Sequence, residues 1–221
     1  MEQTDAFWEQ AEIVERFAHR DPDHRLRALM EERRIRPARA LDIGCAGGRN
    51  TLFLAWHRVE VHAIDASHAM LEETRSQLGR LLGEEVARER VQAGRMDNLS
   101  RFSDASFDLV VSLGVLHQAE SWPEWERAVD EAARVLRPGG LLLLNEFAPG
   151  TDLTGEGMTP VDGEPHVFEG FHDGRGVLLH ADTIDAELAR RGLTPDEPTE
   201  TVIVEMDAGQ RVSVNGLYVR G

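Results

Sequence analysis

Lysine is absent from this sequence of 221 residues, and all 24 of its cationic Lys/Arg side chains are arginine. That bias reads as the codon usage of a GC-rich genome rather than as a functional signal. Cysteine is nearly absent too. Cys45 stands alone, so no disulfide can form within the chain, which fits a reducing, cytoplasmic setting. Long apolar runs are missing: nothing approaches the ~18 consecutive apolar residues of a membrane span. The opening Met1–Asp5 is acidic, whereas a secretory leader starts basic and continues apolar. Positive charge is in deficit. The formal net charge is −16, and a field of that sign repels phosphate backbones and anionic lipid. Neither a nucleic acid nor a membrane is therefore an expected partner, unless a local basic patch overrides the field.

The chain holds 41% hydrophobic residues, enough to bury a core in one domain, or in one domain with a lid. No repeat or low-complexity tract interrupts it. Residues 1–36 carry a helical pattern. Phe7, Trp8, Ala11, Val14, Phe17 and Ala18 recur at three- and four-residue spacing, which makes one apolar face. Asp21-Pro22 breaks that pattern and precedes a second helix expected over about 23–34. These residues are expected to form a helical lid, leaving residues 37–221 as the main domain.

Residues 38–147 alternate strand and helix patterns. Strands are expected at Arg39–Ile43, at Glu60–Ile64, near 88–92, at Phe107–Leu113 and at Leu141–Phe147. Helices are expected near 49–57, over 68–82 behind a Ser67 cap, and over about 122–136 behind the capping box of Ser121 and Glu124. Arg137-Pro-Gly-Gly140 reads as a stop and turn. Apolar strands separated by helices imply a parallel sheet covered on both faces. Residues 148–180 are rich in Gly, Pro and acids and read as an irregular insert. A helix of about 183–191, capped by Asp182 and stopped by Gly192, leads to two β-rich segments, Val202–Glu205 and Val212–Val219. Their spacing suits an antiparallel hairpin closing the sheet edge. The expected fold is α/β: a seven-stranded, mostly parallel sheet with helices on both faces, an antiparallel C-terminal hairpin strand and an N-terminal helical lid.

The stretch Ala40-Leu-Asp-Ile-Gly-Cys-Ala-Gly-Gly-Arg-Asn50 carries the chemistry. Glycines let a backbone turn tightly and let a ligand approach closely. The N-terminus of the helix that follows offers unpaired N–H groups and partial positive charge. Asp65 ends the second strand about 20 residues after Gly44, where a carboxylate can accept hydrogen bonds from a ribose diol. The dinucleotide fingerprint G-x-G-x-x-G fails here, because Ala46 and Arg49 occupy its second and third glycine positions. A phosphate-binding Walker loop fails as well, since no Gly-Lys-Ser/Thr follows.

The turn resembles the first motif of class I methyltransferases dependent on S-adenosylmethionine (SAM), an acid followed by x-G-x-G-x-G. Asp42, Gly44 and Gly48 match it, and Ala46 departs from it. Phe107-Asp-Leu-Val-Val-Ser-Leu-Gly-Val-Leu-His117 is similar to that family's fourth-strand motif. Arg134-Val-Leu-Arg-Pro-Gly-Gly140 is similar to its turn before strand five. The broad group of ubiquinone- and menaquinone-type C-methyltransferases looks nearest, and Gly-Arg-Asn-Thr51 is also similar to tellurite-resistance methyltransferases. The resemblance implies SAM as cofactor, S-adenosylhomocysteine (SAH) as product, no required metal and a small-molecule acceptor. It implies cofactor contacts from Asp42, Gly44, Cys45, Ala46, Gly48 and Asn50, and from Asp65 at the ribose. Ala66, Met70, Arg95 and Met96 are expected near the adenine, with Leu113 and Gly114 beside the sulfonium. Arg16 or Arg20 could clamp the cofactor's carboxylate.

Blander readings stand beside these. Asp42 could simply orient the glycine turn. Cys45 has no basic neighbour in sequence to activate a thiol, so it reads as a core residue. His117 is the candidate catalytic residue, able to take a proton from an acceptor, or else a packed histidine. Trp122 and Trp125 read as core or surface anchors. His166, His172, Asp173 and His180 could bind a metal, but shaping an acceptor pocket suits them better. Two further functions stay open: a catalytically inactive SAM-binding scaffold, and a dinucleotide oxidoreductase, against which the glycine spacing argues. The chain is expected to be a monomer or a homodimer.

Overall fold

A computed structural model describes residues 7–32, 34–171 and 174–221. The N-terminal segment gives α1 (Ala11–Ala18) and α2 (His24–Glu31). The alternating region follows as β1 (Arg39–Ile43), α3 (Arg49–Trp56), β2 (Glu60–Asp65), α4 (His68–Leu82), α5 (Glu84–Arg90), β3 (Val91–Ala93) and β4 (Phe107–Leu113). A short 3₁₀ turn, Leu116–Gln118, leads to α6 (Trp122–Val135) and β5 (Leu136–Phe147). Then come β6 (Thr159–Pro160), β7 (Val167–Phe171), β8 (Gly174–Val177), α7 (Ala181–Ala189), β9 (Leu193–Pro195), β10 (Glu200–Met206) and β11 (Gly209–Arg220). The main sheet has eight strands in the order β10-β11-β5-β4-β1-β2-β3, with β9 also pairing β11. This is the expected mixed α/β sheet, with β9 as an addition.

Two contact-dense units make up the chain: Met1–Met96 with Phe107–Val111, and Asp97–Ser106 with Ser112–Gly221. In the first, β1 and β2 run parallel, as do β2 and β3. Strand β1 is buried from Ala40 to Ile43, as its unbroken apolar run requires of a strand covered on both faces. Its start is fixed by Asp108, whose Oδ2 accepts the backbone N–H of Ala38 at 2.6 Å and of Arg39 at 2.8 Å. Ser67 caps α4 as expected, accepting from the Met70 N–H at 3.2 Å. The third strand is shorter than its sequence suggested. Glu84–Arg90 is a helix, with acids in its first turn and arginines in its last, the arrangement that suits the helix dipole. Only Val91–Ala93 pairs with β2.

In the second unit β11 pairs antiparallel with β5, β9 and β10, which gives the expected terminal hairpin. Strand β5 begins directly after α6 rather than after a turn, and Gly139 at φ 75° absorbs the bend within it. The capping box at 121–124 forms differently. Ser121 makes no side-chain cap, while Glu124 Oε2 reaches back to the Glu120 N–H at 2.9 Å. Asp182 lies inside α7, which begins after His180, because its carboxylate turns to the N–H of its neighbour Thr183. The insert expected to be irregular contains a small antiparallel sheet, β6-β7-β8, with a register shift between Glu169 and Phe171. Glycines at 170, 174 and 176 had masked the strand signal.

Candidate cofactor site

The glycine loop between β1 and α3 is a set of backbone bends fixed by side chains around it. Gly44 has φ 66° and Gly48, the residue before α3, has φ 86°. Both lie in the left-handed region that a side chain disfavours. Ala46 adopts φ 47° as well. The residue that departs from the motif therefore holds a backbone shape that suits glycine. We expect Ala46→Val to lower stability by roughly 1–3 kcal/mol, since a β-branched residue fits this region worst. Ala46→Gly should not lower it, and thermal unfolding of both variants checks the pair.

Asp65, at the end of β2, grips this loop. Its Oδ2 accepts the Ala46 N–H at 2.8 Å and its Oδ1 accepts the Ser67 N–H at 2.9 Å. Burial pushes the carboxyl above its ordinary pKa against the pull of these amides. Gly44 and Cys45 both donate to the Ile64 carbonyl, at 2.8 and 3.0 Å. The loop and the acid, 19 residues apart at Ala46 and Asp65, thus form one hydrogen-bonded unit.

Asp42 has a different task. It is buried, and its Oδ2 accepts the Thr51 hydroxyl at 2.6 Å. Burial drives its pKa up to about 6, although Thr51 and the charge of Arg49 oppose this. Its observed contact ties β1 to α3 and so orients the turn. Asn50 is also buried and accepts the Asp23 N–H at 2.9 Å, which links α3 to the start of α2. Cys45 is buried, and burial with the charges of Asp65 and Asp42 raises its thiol pKa well above normal. A thiol in that setting stays protonated and is no nucleophile.

Two residues that the sequence did not single out position the loop from α4. Thr74 Oγ1 donates to the Ala46 carbonyl at 2.6 Å, and Gln77 Nε2 donates to the Gly47 carbonyl at 3.2 Å. Their signal was present but faint: polar residues on the inward face of an otherwise amphipathic helix. Met70 is buried at the start of α4, Ala66 and Arg95 are exposed, and Met96 is half-buried.

The N-terminal segment packs onto this unit. Glu9 caps α4 with both carboxylate oxygens, accepting from His68 N–H at 2.8 Å and Ala69 N–H at 3.1 Å. Partial burial works against its charge, but these bonds and the Ser67 hydroxyl hold its pKa below the ordinary value. Trp8 and Phe17 meet edge to face at 5.3 Å. The Arg20 guanidinium lies 4.1 Å from the centre of the Phe17 ring, and that of Arg16 lies 5.6 Å away. At Gly47 the fit leaves no space: a Cβ there would lie 2.4 Å from the Ala18 nitrogen and 2.6 Å from its Cα. Gly47→Ala is expected to push the end of α1 off the loop, costing about 1–3 kcal/mol. Faster tryptic cleavage at Arg16 and Arg20 in the variant would report the displacement.

The second unit holds the other candidates. Gly114, just past β4, has φ 82°; its N–H donates to the Asn145 carbonyl at 2.8 Å and its carbonyl accepts from Gln118 Nε2 at 3.1 Å. Leu113 ends β4 half-buried. His117 is 2% exposed. Its ring stacks on Phe147 at 4.2 Å, and its Nδ1 accepts the Phe147 N–H at 3.3 Å. That bond places the neutral ring's proton on Nε2, so the ring is set to donate there. Trp125 is fully buried and stacks on Trp122 at 5.0 Å, while His166 lies 5.0 Å from Trp122. His172 and Asp173 fall outside the described residues. Among the described residues no group of three or more His, Cys, Asp or Glu side chains is arranged to hold a metal. No described helix is long and apolar enough to cross a membrane.

A glycine loop with left-handed bends, a helix behind it and a strand-end acid bonded to it narrow the choice to nucleotide-type cofactors. Comparison with known proteins decides among them. Residues 41–144 match the family described as Methyltransferase domain. Over that segment the chain is similar to methyltransferases. It is 32% identical over 180 residues to malonyl-[acyl-carrier protein] O-methyltransferase of Halorhodospira halophila, covering 79% of this chain and 58% of that protein. It is 38% identical over 115 residues to phosphatidylethanolamine N-methyltransferase of Cereibacter sphaeroides, covering 51% and 53%. The chain thus spans less than two thirds of the length of these methyltransferases. A SAM-dependent methyltransferase from Clostridium acetobutylicum shares the fold at TM-score 0.66 and 17% identity, over 92% of this chain and 94% of that one. So does 1,6-didemethyltoxoflavin-N1-methyltransferase of Burkholderia thailandensis, solved with SAH, at TM-score 0.65 and 20% identity over 90% and 78%. The methyltransferase family match covers β1 to β5, the elements that carry the loop and Asp65.

Proposed function

We propose that this chain transfers a methyl group from SAM to a small-molecule acceptor. The observation that carries the reading is the bond from the Ala46 amide to Asp65, which joins the glycine loop to the strand-end acid. Each oxygen of Asp65 has lone-pair capacity beyond the one amide it accepts, so the carboxylate fits a ribose diol while still bracing the loop. Gly44, Cys45, Ala46 and Gly48 would face the methionyl part. Asp42 and Asn50 would keep the turn in shape behind it. Ala66, Met70, Arg95 and Met96 are proposed near the adenine. On motif alone, Leu113 and Gly114 are proposed to contact the cofactor as well. The residues before 37 would serve as the lid that excludes water, leaving 37–221 as the cofactor-binding domain.

The bound cofactor supplies an already activated methyl group, so the protein's task is positioning and exclusion of solvent. No metal is called for in this reading. His117 is proposed to hold an acceptor oxygen by donating a hydrogen bond from Nε2; with its proton on Nε2 and Nδ1 bonded to the Phe147 N–H, this tautomer does not act as a base there. The relatives are named for quite different acceptors, malonyl-[acyl-carrier protein] and phosphatidylethanolamine. The net charge of −16 disfavours a polyanionic acceptor.

Calorimetric titration with SAM and SAH tests the first half of the reading, and absence of binding at millimolar ligand would sink it. Turnover against a panel of hydroxyl, carboxyl, amine, thiol and activated-carbon acceptors tests the second. Binding without turnover of any acceptor would favour an inactive SAM-binding scaffold.

A further inference from the structure

Strand β10 lies at one end of the main sheet, and among the described residues no strand pairs with its outer edge. All seven of its residues are exposed. Val202 and Val204 are each 38% exposed, Met206 45% and Ile203 60%. An open edge presents a row of unpaired backbone N–H and C=O groups, and edges that must stay single are usually blunted by proline, lysine, a bulge or very short length. Strand β10 has no proline, lysine or bulge and is seven residues long; its only charges, Glu200 and Glu205, flank an uncharged Thr-Val-Ile-Val centre. It pairs with β11 one residue to one from Glu200 to Met206, without a register shift, and its sequence Glu-Thr-Val-Ile-Val-Glu-Met contains no cation and no proline.

The sequence also suits its own copy. Laid antiparallel about Ile203, the strand sets Ile203 opposite Ile203, Val202 opposite Val204, Thr201 opposite Glu205 and Glu200 opposite Met206. The apolar centre falls on itself and no glutamate faces a glutamate. Directly opposed like charges destabilise a strand pair, whereas β-branched residues opposed across it stabilise one. Sliding the register by two residues moves the centre to Val202 or Val204 and breaks this match, because Glu200 then faces Val204, or Glu205 faces Ile203. A one-residue slip would also exchange the faces.

We infer that β10 is a homodimerisation edge, at which two copies of this chain join their sheets antiparallel about Ile203. A seven-residue edge is about 23 Å long at ~3.3 Å per residue. Such a contact lies at the small end of specific interfaces, so the dimer is reversible and falls apart on dilution. This inference does not depend on the methyltransferase reading.

Sedimentation equilibrium of the full chain over nanomolar to high-micromolar concentrations tests it. The mass should rise from 24.7 kDa towards twice that value. Ile203→Glu places two carboxylates face to face on the two-fold axis and should weaken the dimer by about 100-fold or more, through like-charge opposition and lost apolar contact. Thr201→Arg sets an arginine opposite the other copy's Glu205 at two symmetric positions. It should tighten the dimer about 2–10-fold. Thr201 pairs with Val214 within its own chain, so the gain cannot arise there. Both sites are exposed, and unchanged melting curves confirm that the variants fold. A monomer at every concentration overturns the inference and leaves the edge to some other partner. A dimer indifferent to Ile203→Glu overturns it too. A dimer broken by Ile203→Glu but not tightened by Thr201→Arg overturns the stated register.

Discussion

Asp65→Ala is expected to weaken SAM binding by at least about 100-fold while leaving the fold intact. The estimate rests on two hydrogen bonds from a ribose diol to an ionised carboxylate, each contributing about 1.5–3 kcal/mol, with 1.4 kcal/mol to each factor of ten. The variant loses more than ligand contacts. Without the carboxylate, the Ala46 and Ser67 amides lose the partners they hold at 2.8 and 2.9 Å, and the loop loses its brace across to β2. Asp65→Asn separates the two effects only in part. An amide keeps one acceptor oxygen but turns an NH₂ group towards a backbone N–H, which repels it. The asparagine variant should therefore bind SAM weakly as well, with a smaller loss. Calorimetry with SAM and SAH, alongside circular dichroism, measures both. An affinity within about threefold of the wild type for Asp65→Ala, a gap under 1 kcal/mol, would show that the ribose is held elsewhere.

Asp65 was legible in the sequence because its evidence is positional: an acid ending a strand, at a set distance from a glycine turn. Gly44 and Gly48 were legible for the same reason, since left-handed bends select glycine. Asp42 was not, because the same residue in the same place can serve a ligand or a neighbouring helix. The 2.6 Å bond from Thr51 is a tertiary fact that spacing does not encode. Thr74 and Gln77 escaped notice because a polar residue on a helix face ordinarily points to water. Strands failed where the sequence lacked side chains to alternate: β7 and β8 are interrupted by Gly170, Gly174 and Gly176, and the register shift at Glu169–Phe171 breaks their period. The helix α5 failed because Val-Ala-Arg-Glu-Arg-Val is compatible with either state, and only pairing with β2 shows where the strand starts.

Glu146 shows the limit most sharply, and it carries the largest pH effect expected of this protein. In sequence it is one acid in an apolar strand. In the structure it is wholly buried on β5; Oε2 accepts the Trp125 indole N–H at 3.1 Å, and among the described residues Oε1 has no hydrogen-bond partner. Burial pushes its pKa from 4.5 up to about 8, against the pull of the indole. Between those two values the unfolded chain has lost this proton and the folded chain keeps it. Folding then takes up a proton, so stability falls as pH rises, by about 1.4 kcal/mol per unit for a single group. The fall begins near the unfolded value of 4.5 and levels off above about 8, where the folded chain also ionises. Asp42, raised to about 6 from 3.8, adds a decline of the same sign in a lower window. The wild type is therefore expected to be more stable near pH 5 than near pH 8.

Glu146→Gln isolates the effect. The amide oxygen can still accept from Trp125, but its NH₂ group sits where Oε1 had no partner, at a cost of about 1–3 kcal/mol that does not vary with pH. The variant has no proton to lose, so its stability relative to the wild type should climb steadily from pH 5 to pH 8. It should start below the wild type and end above it. Asp42 is present in both proteins, so its own decline cancels in the difference. Urea unfolding at four pH values across this range gives the difference curve. A flat curve would mean that Glu146 is already ionised in the folded protein at pH 5, and that some unseen partner or water reaches Oε1.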